Sequence, residues 1–93
     1  MKISNRLDQS VIFQDDSLTM KETVQNALRK GISLSHANLS KANLTRTDLT
    51  VANLFEVNLT GANLTRADLT GANLTEANLT AANLTVADLT RAD

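Results

Sequence analysis

Leucine returns at every fifth position along two-thirds of this chain: Leu34, Leu39, Leu44, Leu49, Leu54, Leu59, Leu64, Leu69, Leu74, Leu79, Leu84 and Leu89. A period of five rules out both regular ways of burying one stripe of side chains. On an α-helix five residues rotate by ~500°, so successive leucines step by ~140° and scatter around the cylinder. On a straight strand side chains alternate with period two, and an odd spacing sends neighbouring leucines to opposite faces. The leucines share one interior only if the chain bends within every quintet and turns each of them back toward a common axis. The predicted form is a coil with flat sides, whose circuits stack and pair through backbone hydrogen bonds at the ~4.8 Å sheet spacing.

From Ala37 the quintets read ANLSK, ANLTR, TDLTV, ANLFE, VNLTG, ANLTR, ADLTG, ANLTE, ANLTA, ANLTV and ADLTR. Ala two positions before Leu is small enough to share the interior. Asn or Asp just before Leu favours turns by bonding its own backbone, and Thr after Leu suits an extended, outward-facing position. These Ala-Asn/Asp-Leu-Thr-Xaa units resemble the pentapeptide repeat proteins over Leu34 to Asp93. The resemblance implies an all-β solenoid, a right-handed quadrilateral β-helix with four quintets to a coil and about three coils in this chain. It also implies that the leucines and the preceding alanines point inward.

Residues 1–31 lack the repeat. Ser10-Val11-Ile12-Phe13-Gln14 is a short β-prone run, and Asp15-Asp16-Ser17 is turn-type. Thr19 and Glu22 have capping-box spacing, Met20, Val24, Ala27 and Leu28 form one apolar stripe, and Lys30-Gly31 is a helix stop. A strand followed by a helix of about eleven residues is expected. Such a unit can cover the exposed first coil, so residues 1–31 are read as an N-terminal cap on a β-helix of residues 32–93.

The chain has no Cys, one His and a net charge of −1, with aromatics at 2%. Thiolate metal sites and disulfides are thereby excluded, and no catalytic, cofactor-binding or metal site is expected. The N-terminal residues lack a secretory apolar stretch, and no run approaches the ~18 apolar residues of a membrane span, so a cytoplasmic protein without a membrane partner is expected.

Adding twenty residues per coil gives columns. Asp48, Asp68 and Asp88 form one, with Arg46 and Arg66 two residues ahead of the first two, which predicts a salt-bridge ladder. His36, Glu56 and Glu76 form another, read as a solvated charged face. Val51 and Phe55 are a candidate apolar patch for a partner, unless a residue such as Phe13 covers it. The resemblance also implies one specific activity, mimicry of B-form DNA toward DNA gyrase. Residues 32–93, however, carry only four basic and six acidic side chains. About three coils span ~14 Å, which would face roughly eight phosphate charges. Ice binding through the Thr columns is a further alternative.

The leading expectation is a non-enzymatic structural or interaction module with a protein partner and no direct binding of nucleic acid. The repeat stops at Arg91-Ala92-Asp93. The open last coil, with Leu84 and Leu89 at its end, is expected to stack on a second copy as a homodimer.

Overall fold

The bend that the five-residue period demands falls between Thr and the residue after it. In the computed structural model, which describes residues 1–93, each quintet closes a four-residue turn. In that turn an alanine N–H donates to the leucine carbonyl three residues earlier, as from Ala52 to Leu49 at 3.1 Å and from Ala62 to Leu59 at 3.0 Å. The residue after Thr takes a left-handed backbone, with φ of 60° at Lys41, 59° at Arg46, 53° at Val51 and 69° at Gly71. The sequence pattern predicts an extended Thr, but the structure puts Thr inside the turn and gives the inter-coil pairing to the Asn or Asp before Leu. Parallel bridges join Asn43 to Asn63, Asp48 to Asp68 and Asn53 to Asn73. Their constant offset of twenty residues makes four quintets one circuit. Between circuits the Leu44 N–H donates to the Asn63 carbonyl at 2.8 Å, and the Asn63 N–H to the Ala42 carbonyl at 2.9 Å.

Leucines 34 to 69 of the series are buried to within 1% of full enclosure, and Leu74 is 8% exposed. Beyond it Leu79 and Leu84 are half-buried, and Leu89 is 42% exposed at the last side. The alanine slot accepts larger groups: Val57 and Thr47 both occupy it and are fully buried. Thr47 Oγ1 has no hydrogen-bond partner there.

Ahead of the repeats lie strands β1 (Lys2–Asn5) and β2 (Val11–Gln14), then helix α1 (Met20–Arg29), with β3 (Ala37–Asn38) in the first circuit. The strands form one sheet in the order β2-β1-β3. β1 pairs antiparallel with β2 through Ile3 and Phe13, and on its other edge with β3 through Ser4–Asn38 and Asn5–Ala37. Ile3, Val24 and Ala27 are buried in the same cluster as the leucines, so the apolar interior runs unbroken from hairpin and helix into the coil. α1 begins where Thr19 Oγ1 accepts the Glu22 N–H at 3.2 Å. It stops at Gly31, whose φ of 72° lets its N–H donate to the Leu28 carbonyl while Ile32 N–H reaches the Ala27 carbonyl. That pair of bonds is the Schellman arrangement that the Lys30-Gly31 signal predicts.

Two substitutions test this layout by urea unfolding. Leu64→Ala is expected to cost ~2–5 kcal/mol, as for other emptied leucine sites, while Thr65→Ala on the outside costs no more than about 1 kcal/mol. Equal losses would mean that inside and outside are misassigned. Thr47→Val keeps the shape and removes the orphaned hydroxyl, so it is expected to raise stability by ~1 kcal/mol. A loss of stability at Thr47→Val would show that the hydroxyl has a partner.

Candidate functional site

Each quintet turns three side chains outward: the Asn or Asp, the Thr, and the corner residue with left-handed backbone. The first two are tied to each other. Thr45, Thr65 and Thr85 hydroxyls donate to the Oδ1 of Asn43, Asn63 and Asn83 at 2.7, 2.6 and 2.6 Å. Most of the chemical variety is therefore left to the corners.

In the Asp column, Asp68 Oδ1 accepts the Thr70 hydroxyl at 2.5 Å and the Thr70 N–H at 3.0 Å, and Asp88 does the same with Thr90. Hydroxyl and amide bonds from Thr50, Thr70 and Thr90 hold Asp48, Asp68 and Asp88 respectively below the usual carboxylate range despite their stacking. The predicted salt-bridge ladder is absent, since the ion pairs of the molecule are Met1–Asp15, Arg6–Glu56 and His36–Glu56. The expectation used the rule that residues i and i+2 point the same way, which holds for extended chain. At Arg46 and Arg66 the backbone is left-handed and turns a corner, so each arginine projects from a different side than the aspartate after it.

His36 and Glu56 do meet, with Nε2 to Oε2 at 3.0 Å, while Glu76 below them makes no ion pair. Arg6, just past β1, closes over the pair. Its Nη2 donates to Glu56 Oε2 at 3.3 Å, its Nε to the Glu56 carbonyl at 2.5 Å, and its backbone N–H to the His36 carbonyl at 2.7 Å. Ser35 Oγ lies 3.1 Å from His36 Nδ1, which completes a Ser–His–Glu sequence of contacts. The same hydroxyl also lies 3.3 Å from the Phe55 carbonyl, which competes with the imidazole for its proton. The cluster also lies outside the three surface clefts, and the geometry supports a clasp rather than a hydrolytic centre.

The candidate partner patch is distributed over two corners. Phe55 packs against the edge of His36, ring centroids 5.7 Å apart at 90°. Phe13 is engaged elsewhere, beneath the Lys30 ammonium at 5.7 Å. Val51 is 75% exposed and leans over Gly71.

One centre has no clear signal in the sequence. Asp15 Oδ1 accepts the Thr23 hydroxyl at 2.8 Å, and Oδ2 accepts Asn26 Nδ2 at 2.9 Å and the Ser17 hydroxyl at 3.0 Å. The N-terminal ammonium donates to the Asp15 carbonyl at 2.8 Å. These bonds, that from Asn26 foremost, hold the carboxyl far below the usual carboxylate range. The hub fastens β1, the β2–α1 loop and α1 together. No group of three or more His, Cys, Asp or Glu side chains is placed to hold a metal ion, and no helix is long and apolar enough to cross a membrane.

The Pentapeptide repeats family profile matches the chain in eight copies, over residues 32–71 and 52–91. Among solved structures, a pentapeptide repeat protein from the cyanobacterium Cyanothece 51142 is 41% identical with a TM-score of 0.60, the match covering 66% of this chain and 40% of that one. A pentapeptide repeat protein from the Arabidopsis thaliana thylakoid lumen is 37% identical with a TM-score of 0.36, covering 64% of this chain and 45% of that one. HetL from Nostoc sp. strain PCC 7120, involved in heterocyst differentiation regulation, is 37% identical with a TM-score of 0.29, covering 68% of this chain and 34% of that one. This chain thus spans less than half the length of each. No curated protein sequence matches it significantly. The repeat profile and the Cyanothece likeness together make the repeat region a right-handed β-helix.

The Asp15 hub has a pH signature. Its bonds are accepted by the anion, so their contribution is complete above the unfolded-state value near pH ~4 and is lost as pH falls toward the lower folded-state value. Asp15→Asn is expected to lower the thermal midpoint at neutral pH. The gap to wild type, followed by circular dichroism, stays constant down to about pH 5 and narrows below about pH 4. A gap independent of pH would show that the charge of Asp15 contributes nothing.

Proposed function

This chain belongs to the pentapeptide repeat family, and from that premise we propose that it works as a non-enzymatic interaction module, about three coils capped by residues 1–31. The observation that carries this reading is the commitment of its surface. Most outward Thr hydroxyls, as at Thr45, Thr65, Thr70, Thr80, Thr85 and Thr90, and the backbone amides of the interior quintets are paired within the coil, and the one His–carboxylate cluster is clasped by Arg6 outside any cleft. Such a surface offers shape and corner side chains to a partner, and no reactive group to a substrate.

Two narrower activities gain no support. Thr hydroxyl protons directed onto Asn and Asp oxygens are withdrawn from an ordered water layer, which weakens ice binding. The charged corners that stack include Arg46 over Arg66, opposite in sign to the phosphate pattern that gyrase mimicry requires.

The partner face proposed for the chain as it stands is the edge of its last coil. There the N–H groups of Leu74, Leu79, Leu84 and Leu89 lack backbone acceptors, and Leu89 is the least enclosed of the core series. A second copy stacked about a two-fold axis pairs that edge and extends the leucine column. Size-exclusion chromatography with light scattering is expected to give about twice 10.0 kDa at ~100 μM, and Leu89→Arg to give the monomer. A monomeric wild type, or a dimer indifferent to Leu89→Arg, overturns this interface.

A further inference from the structure

The charges of this surface differ in whether they have partners. Glu56 is matched by Arg6 and His36, Asp15 lies beside the N-terminal ammonium, and Lys30 stands over the Phe13 ring. Lys2, Arg29, Lys41 and Arg91 are in no ion pair, and neither are Lys21, Arg46 and Arg66, of which Lys21 is half-buried. The latter three line one open cleft of ≈ 780 Å³ between the first turn of α1 and the side of the coil beneath it.

The two arginines occupy the same corner of successive coils, their quintets joined by the Asn43–Asn63 bridge. Stacking at the ~4.8 Å coil spacing brings two like charges to one side of the coil, an arrangement that an anion between them relieves. The third residue of the arginine column is Val86, so the basic pair is confined to the coils that face the helix. Glu22 is the one carboxylate on the lining, which leaves three cations against one anion.

We propose that this cleft binds a phosphorylated, hydroxyl-rich small molecule such as a sugar phosphate. Two stacked guanidinium forks present several donors to a tetrahedral dianion, with the Lys21 ammonium as a third positive group on the facing wall. The volume lies within the range of small-molecule sites. No aromatic side chain lines it, so there is no platform for a nucleobase. Gln25 and the amide nitrogen of Asn43, whose oxygen is occupied by Thr45, supply the hydrogen bonds that hydroxyl groups take.

The test is a titration of the ¹⁵N-labelled chain, following amide shifts, with inorganic pyrophosphate, glucose 6-phosphate and glucose at low salt. Pyrophosphate and glucose 6-phosphate are expected to give saturable shifts at about millimolar concentration or below, confined to residues 19–25, 43–46 and 63–66, and glucose none. Arg46→Gln/Arg66→Gln is expected to weaken both phosphates by about tenfold or more, while Arg91→Gln, at the same type of corner on another side, leaves them unchanged. If the double variant does not fold, Lys21→Gln takes its place with the same expectation, and circular dichroism verifies the fold of whichever is used. Absence of saturation by ~10 mM, retention of binding in the folded variant, or equal binding of glucose overturns the site. Binding of pyrophosphate without glucose 6-phosphate overturns the hydroxyl-rich ligand.

Discussion

The coil depends on one side chain accepting a backbone hydrogen that no other strand can reach. In the interior quintets every N–H has a partner. The alanine N–H closes the turn on the preceding leucine, the Asn N–H pairs with the coil before, and the Leu and corner N–H groups pair with the coil after, as at Ala62, Asn63, Leu64 and Arg66. That leaves the Thr N–H, which faces out of the corner. It is taken by Oδ1 of the Asn or Asp two residues earlier, at 3.0 Å from Thr65 to Asn63 and at 3.0 Å from Thr70 to Asp68. A buried or half-buried amide without an acceptor costs free energy comparable to a lost hydrogen bond. Asn and Asp are the residues whose short side chains reach that amide, which is why the position before Leu is almost invariably one of them.

The same accounting explains how the N-terminal segment holds on. The carbonyl of a corner residue has no partner in the neighbouring coils. At the first two corners of the His36 column Arg6 takes both, the His36 carbonyl through its N–H and the Glu56 carbonyl through Nε. β1 covers the adjacent side of the first coil by pairing with β3. Together they satisfy an edge that would otherwise be bare, and Ile3, Val24 and Ala27 seal the apolar end beneath it. At the opposite edge the leucines become progressively exposed, from Leu74 to Leu89.

The sequence was most readable where a feature repeats or is local. The five-residue period placed the leucine interior, and Thr19, Glu22 and Gly31 marked the ends of α1 to within a residue, because caps depend only on neighbouring backbone. Contacts between distant segments left no such trace. β1 holds one buried residue, Ile3, in Lys2-Ile3-Ser4-Asn5, too little for a periodic signal, and it exists because two partners flank it. Asp15 reads as a turn residue, yet its partners are eight and eleven residues further on in α1. The Arg46–Asp48 ladder failed for a geometric reason: spacing in sequence translates into direction in space only when the backbone conformation between the two residues is known.

Interior, turn and hydroxyl positions are thus committed to holding the coil, and the corner is where a different side chain changes the surface without removing a bond. The corner has its own constraint, since a left-handed backbone costs a non-glycine residue ~1–2 kcal/mol and is hardest on β-branched ones. Gly61 and Gly71 meet it without strain, but Val51 and Val86 do not. Val51 is tolerated partly because the residue one coil below is Gly71: a Cβ there would stand 3.1 Å from Val51 Cγ1. Corner residues are therefore chosen in columns, each side chain limited by the one stacked beneath it. A corner column that repeats one charge, as Arg46 over Arg66 does, adds no bond to the coil, so its chemistry is left to face outward.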